Sequence, residues 1–224
     1  HAYDMSPESL ALAEPLGGPL TRQVSQWAQQ YGMTILAGFL ERHGDALHNS
    51  QVVALPDGTL GVERKHHLTP GEIAAGLTPG KRERTIFDIN GVRCAVLICA
   101  DSGIEGIYDD LAQQGVEFRF HPTAGGGKLE DYLHESDLQT PEGQAKYTEN
   151  RPRVFLTQAI LSEDDCKVCG FAAANALGDD GKSACHQGHC SIVDNNRVMR
   201  AQIPGTIVLE HHCDQMAHAV ISFA

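Results

Sequence analysis

The sequence has no excess of basic residues: 17 lysines and arginines stand against 29 aspartates and glutamates, a formal net charge of -12 over 224 residues. That deficit excludes nucleic acid and anionic membrane surfaces as expected partners, because both recruit basic patches. No apolar run approaches the roughly 18 residues that read as a membrane span, so no membrane partner is expected. The opening HAYDMSPESL lacks both the basic and the apolar region of a signal peptide. The cysteines do not come in an even set: there are seven, in a chain too large to need disulfide staples, so the expected compartment is a reducing cytoplasm. Internal repeats and linker-like stretches are missing too, which leaves residues 1–224 as one expected domain. What remains, 42% hydrophobic and 21% charged residues, is the composition of a globular chain with material for a core. Its expected ligand is a small molecule.

Strand-like and helix-like segments alternate. In TRQVSQWAQQYG, Val24, Trp27, Ala28 and Tyr31 fall on one face of a predicted helix. TILAGFLER reads as a strand, and HNSQVVAL and TLGVERKHH flank the turn sequence PDGT as a hairpin. RTIFDI and VRCAVLIC flank Asn90-Gly91, the strongest short hairpin signal here, and the second arm is apolar enough to be covered on both faces. Ile104, Ile107, Tyr108 and Leu111 have helical spacing, and VEFRFHPT reads as the next strand. Residues 125–150 are glycine-rich, then polar, and are expected as a long functional loop. A helix is expected over 153–162, with strands near 171–175, 191–193, 197–202, 206–211 and 217–223. The alternation predicts an α/β fold in which helices cover sheets.

AVLICADSGIEG, residues 95–106, carries the first sign of chemistry. Cys99 ends a buried strand just before a tight turn, a place where α/β folds expose reactive groups and where helix N–H groups favour an anion. Cys99 is therefore a candidate nucleophile, while Cys94 inside the same strand reads as a small hydrophobe. Upstream, GVERKHHLTPGE ends a strand on Lys65 and places Glu72 in a Pro-Gly loop, a cation and a carboxylate able to share a rim with the thiol.

Taken in order, LAEPLGGP, GFLERHGDALHNS, PDGT, RKHHL, TPG, LICAD, HPTAGGG, AAANALGDDG and GHCSIVDNNRVM resemble the nitrilase, or carbon-nitrogen hydrolase, superfamily over nearly the whole chain. The resemblance implies an α-β-β-α sandwich and a Cys-Glu-Lys hydrolase of amide, N-carbamoyl or nitrile substrates, with amide or carbamoyl preferred. Cys99 would be the nucleophile, Lys65 and the Ala100 backbone N–H the oxyanion donors, and Glu72 the carboxylate that orients the lysine. His121, Thr123 and Ala124 match the stretch that lines the family's pocket. No cofactor and no metal are implied, and a homodimer or larger homo-oligomer is expected.

The match has departures. The family's general-base glutamate, with the first strands and helix of the sandwich, belongs before His1, so the expected chain is N-terminally incomplete and nearly inactive as written. Pro7-Glu8 imitates the missing motif without a preceding apolar strand. Ala100 stands where many members carry an aromatic residue, which widens the site. Glu41 and Asn49 read as structural, and Asp101 as an organiser of the turn after the thiol. CKVC with CHQGHC, that is Cys166, Cys169, Cys185 and Cys190, approaches zinc spacing and forms the rival reading of a zinc-stabilised binding module. A catalytically inactive relative kept for binding or assembly is the other. TAGGGK and DDGKS lack the first glycine of a P-loop. Lys81 to Arg84, a short basic run, reads as a solvated loop.

Overall fold

In the computed structural model, residues 5–156, 170–179, 184–211 and 216–223 are described. The chain divides into two compact units, His1–Val116 and Glu117–Ala224.

The first unit opens with α1 (Pro7–Ala11), capped by Ser6, and α2 (Pro19–Tyr31). Pro19 starts α2 in the position where a missing N–H costs nothing, and Gly32 ends it at φ 62°. The AEPLGGP stretch has a local purpose, since the Glu14 carboxylate accepts the free Leu20 and Thr21 N–H groups at the start of α2. A three-stranded antiparallel sheet follows, in the order β1 (Ile35–His43), β2 (Ala46–Ala54), β3 (Leu60–Arg64). Val24 and Ala28 of α2 pack with Phe39, Val52 and Ala54 of the sheet, and each valine or phenylalanine so buried contributes about 1.5–3 kcal/mol. The expected apolar stripe of α2 is only half used: Trp27 is 45% and Tyr31 63% exposed. The helix turns its Val24–Ala28 edge to the sheet and leaves its larger side chains outside.

Beyond β3 come α3 (Pro70–Ala74), then β4 (Phe87–Ile89) and β5 (Val92–Val96), an antiparallel hairpin. Its turn residues Asn90 and Gly91 stand at φ 55° and 81°, the left-handed pair that a two-residue hairpin requires. Cys94 through Ile98 are buried without interruption, as a strand covered on both faces should be. A 3-10 turn runs from Cys99 to Gly103, and α4 covers Ile107–Gln113.

In the second unit, β6 (Phe118–Thr123) runs parallel to β8 (Gly170–Asn175), and β11 (Cys190–Val193) and β12 (Met199–Ile203) continue antiparallel in the order β12-β11-β8-β6. A small sheet of β7 (Gly126–Lys128), β10 (Ala184–Gln187) and β9 (Leu177–Asp179) stands apart from it. The expected loop over 125–150 is instead β7, two 3-10 turns and the start of α5 (Pro141–Leu156). Thr140 starts α5, its hydroxyl accepting from Gly143 N, with Pro141 and Glu142 in the first turn. The part of the expected helix beyond Leu156 lies outside the described residues. Residues 206–211 and 217–223 do not form the expected strands. The first contains a single bridge, Leu133 to Val208, and a 3-10 turn; the second is irregular, with Phe223 edge-on to Phe118.

Candidate active site

Strand alternation sorts the charged residues around the end of β3. Arg64 turns to one face, where its guanidinium holds Glu41 through Nε and Nη2 at 2.7 and 2.5 Å, and Ser50 donates to the same carboxylate at 2.7 Å. Glu63 and Lys65 turn to the other. The Lys65 main chain extends the ladder by one step, donating to Asn49 O at 2.9 Å and accepting from Gly80 N at 2.8 Å. Its ammonium, fully buried, donates to Glu72 Oε2 at 2.6 Å.

Glu72 is held by its own helix. Thr69-Pro70-Gly71-Glu72 closes a capping box at the start of α3: Glu72 N donates to Thr69 Oγ1, and Thr69 N returns a bond to Glu72 Oε2 at 2.7 Å. Thr69 Oγ1 donates to Oε2 at 2.9 Å, and Asn49 Nδ2 to Oε1 at 2.7 Å. Burial by itself pushes the Glu72 carboxyl up, but the hydrogen bonds from Lys65, Thr69 and Asn49 and the Lys65 charge outweigh it and hold the group below the ordinary 4.5. Glu72 is thus an ionised partner for a buried ammonium.

Cys99 is half-buried and carries a thiol rather than a disulfide. It sits at φ 49°, a left-handed conformation uncommon for a residue with a side chain. Ala100, also half-buried, follows it in the 3-10 turn. Two residues beyond the thiol, the fully buried Asp101 receives His66 N and His67 N on Oδ1 at 3.0 and 2.7 Å, and Ile98 N on Oδ2 at 3.2 Å. The segments that follow Lys65 and precede Cys99 therefore meet on one carboxylate. An open cavity of about 590 Å3 lies beside them, lined by His66, His67 and Leu68 on one side and Gly103, Ile104 and Glu105 on the other.

The remaining sequence candidates lie in the second unit. His121 is buried in β6, with Thr123 and Ala124 half-buried at and just past its C-terminal end. Among the described residues no group of three or more His, Cys, Asp or Glu side chains could hold a metal ion. Cys166 and Cys169 of the zinc-like pattern lie outside the described residues, while Cys185 and Cys190 occupy β10 and β11. Pro7 and Glu8 are exposed and open α1 rather than ending a strand.

One expectation is reversed. Arg84, expected in a solvated loop, is fully buried, its Nη1 lying 3.1 Å from both Glu63 Oε1 and Asp101 Oδ2. Its partners are 21 and 17 residues away in sequence, with no local spacing to announce them.

A family model described as carbon-nitrogen hydrolase matches residues 2–148. An (R)-stereoselective amidase of Pseudomonas sp is 36% identical over 170 residues, 75% of this chain and 58% of that protein. An N-carbamoylputrescine amidase of Solanum tuberosum is 31% identical over 120 residues, 52% of this chain and 40% of that one. The chain thus spans less than two thirds of the length of these relatives. A solved structure of a mutant amidase from Nesterenkonia sp. AN1, with acrylamide added to its active-site cysteine, superposes with a TM-score of 0.63 at 17% identity, over 91% of this chain and 72% of that one. At that identity the likeness establishes the fold, a mixed α/β architecture shared with carbon-nitrogen hydrolases. Among the described residues no helix is long and apolar enough to cross a membrane.

Proposed function

The chain belongs to the carbon-nitrogen hydrolase family, and on that premise we propose that it cleaves non-peptide carbon–nitrogen bonds of small amides or N-carbamoyl compounds through a Cys99 thioester. The observation that carries this reading is the buried Lys65–Glu72 pair, whose strand end is joined through Asp101 to the residue before Cys99.

Cys99 Sγ, as thiolate, attacks the carbonyl carbon of the substrate. The oxygen gathers negative charge and faces the Lys65 ammonium and the Ala100 N–H, donors worth about 2.7–4 kcal/mol each to such a transition state. As the intermediate collapses the C–N bond breaks, and the nitrogen leaves as ammonia or an amine with the proton the thiol gave up. Water then adds to the thioester, restores the thiol and releases the acid. Glu72 does not touch the substrate in this scheme; it keeps Lys65 charged and pointed. His121, Thr123 and Ala124 are assigned to the substrate pocket on the family resemblance.

Residues 1–224 are taken as one catalytic domain, because a solved relative is matched over 91% of the chain. A reducing, cytoplasmic setting and a homo-oligomer are part of the same reading. Amides are favoured over nitriles because the two relatives above are an amidase and a carbamoyl-compound amidase.

Iodoacetamide labelling with peptide mapping, joined to ammonia release from a panel of amides and N-carbamoyl compounds by the full-length protein, tests the proposal. Cys99 should react well ahead of Cys190, which is also half-buried, and Cys99→Ala should abolish turnover. Equal labelling of the two thiols with no ammonia from any compound would refute it.

A further inference from the structure

Asp101 is more than a turn former. Its carboxylate is fully buried and takes four donors: His66 N and His67 N on Oδ1, Ile98 N and Arg84 Nη1 on Oδ2. Asp101 N also donates back to Ile98 O at 3.1 Å. Ile98 and Asp101 are thus tied twice, and the only residues between them are Cys99 and Ala100. The left-handed Cys99 and the N–H of Ala100 are enclosed in a loop that this one side chain closes. On its other oxygen it grips the two amides that follow Lys65.

We propose that Asp101 is a positioning residue that sets the Lys65 ammonium in register with the Cys99 thiol and the Ala100 N–H. This rests on the thiol-hydrolase reading above. The chemistry of the site explains why an aspartate is needed. All four groups that reach it are donors, so the acceptor must offer lone pairs on two oxygens and no hydrogen, which an ionised carboxylate does and an amide does not. A buried carboxylate also needs a compensating charge, and Arg84 supplies it while also reaching Glu63 on β3. Arg84 thereby ties the same carboxylate to the strand that ends at Lys65. Asparagine at position 101 would have to turn its NH2 toward one donor pair, so one side of the bridge would open while the side-chain volume stayed the same.

The test is kcat and KM for ammonia release from the best-cleaved amide or N-carbamoyl compound, on the full-length protein and on Asp101→Asn, Lys65→Met and the double variant, with circular dichroism to verify folding. Loss of a donor to the transition state lowers kcat with little change in KM, so Lys65→Met should fall about 100- to 1,000-fold in kcat. Asp101→Asn should lower kcat in the same way with KM nearly unchanged, and in the Lys65→Met background it should add less than about twofold, because residues that act through one another are not additive. An unchanged kcat in Asp101→Asn, or a full independent loss in the double variant, overturns the proposal while leaving the hydrolase reading intact. If Lys65→Met itself leaves kcat unmoved, the lysine's role fails and this inference fails with it; no ammonia from the unmodified protein would defeat the hydrolase reading first. Should Asp101→Asn not fold, hydrogen exchange on the unmodified chain decides. His66 and His67 belong to no helix or strand, so their amides should be as protected as that of Ile98; exchange at open-loop rates overturns the clamp.

Discussion

Lys65 Nζ and Glu72 Oε2 lie 2.6 Å apart, and both side chains are buried. Two charges removed from water gain little as a pair over a well-packed apolar substitute, whereas breaking such a pair leaves one uncompensated buried charge. The pair is therefore better explained by what the ammonium does than by what it adds to stability.

This yields a comparison of three variants. Glu72→Gln should lower unfolding free energy by about 3–5 kcal/mol in urea titrations, because the buried Lys65 amine loses its counter-ion. Lys65→Met with Glu72→Gln removes both charges and should recover most of that loss. Activity should not follow: any variant without Lys65 should stay about 100- to 1,000-fold down in kcat, the usual cost of a missing oxyanion donor. Recovery of activity along with stability would show that the pair is structural.

Acid titration separates the buried carboxylates by sign. For Glu41, burial pushes the carboxyl up, but the bonds from Arg64 and Ser50 outweigh it, and like Glu72 it sits below the ordinary 4.5. The stability these two add is complete above 4.5 and is lost as the pH falls through their lower folded values. Glu63 behaves oppositely. Burial leads and is not fully offset by the Arg84 charge or the Thr85 hydrogen bonds, so it holds its proton above 4.5. Its contribution is present below 4.5 and is lost as the pH rises through its raised folded value. Urea midpoints followed from about pH 6 to about pH 3 should therefore fall less steeply in Glu41→Gln than in the unmodified chain, and more steeply in Glu63→Gln. Parallel curves would contradict the assignment.

How far the sequence foretold this arrangement depends on the distance over which each signal acts. Asn90-Gly91 was legible because two left-handed residues in a row admit few side chains. Thr69-Pro70-Gly71-Glu72, expected as a Pro-Gly loop, is a four-residue capping box that opens α3 and holds Glu72, a helix start that the Pro-Gly pair conceals. α5 was hidden because it is polar almost all round and shows no 3.6-residue stripe; only Thr140-Pro141-Glu142 marks its start. The strands expected at 206–211 and 217–223 have β-branched, apolar content, but a strand forms only where a partner edge accepts it. Arg84 departs from its expected solvated loop for the same reason, since its burial depends on acids supplied by β3 and by the turn after Cys99.

Gly80 offers a test at a distance from the chemistry. A Cβ there would stand 2.3 Å from Arg64 O and 2.7 Å from Arg64 Cβ, and the Gly80 N–H holds Lys65 O at 2.8 Å. Because the obstruction is backbone, Gly80→Ala must push the end of β3 aside, at the cost of about 1–3 kcal/mol typical of overpacking. The obstructing Arg64 carbonyl belongs to the peptide that leads into Lys65, so the ammonium moves with it and kcat should fall by about 100-fold, as it does when a reacting group is misplaced by about 1 Å. Gly76→Ala is the control: its φ of 81° strains the new side chain, yet nothing lies within 4 Å of the added Cβ. That variant should lose stability without a matching loss of kcat.

The backbone of Cys99 supplies the last test. At φ 49° an L-residue pays about 1–2 kcal/mol of steric strain that glycine does not feel, while glycine gives back about 0.4–1 kcal/mol through its looser unfolded chain. Cys99→Gly should accordingly unfold at equal or higher urea concentration than Cys99→Ala, although it removes one carbon more from a half-buried site. Both variants lack the thiol and should be equally inactive, so the difference isolates the backbone. If Cys99→Ala proves the more stable by 1 kcal/mol or so, on the scale of a lost methyl group, the turn is relaxed with a side chain in place. The left-handed geometry would then have to be discarded as a cause of the way the sulfur is presented.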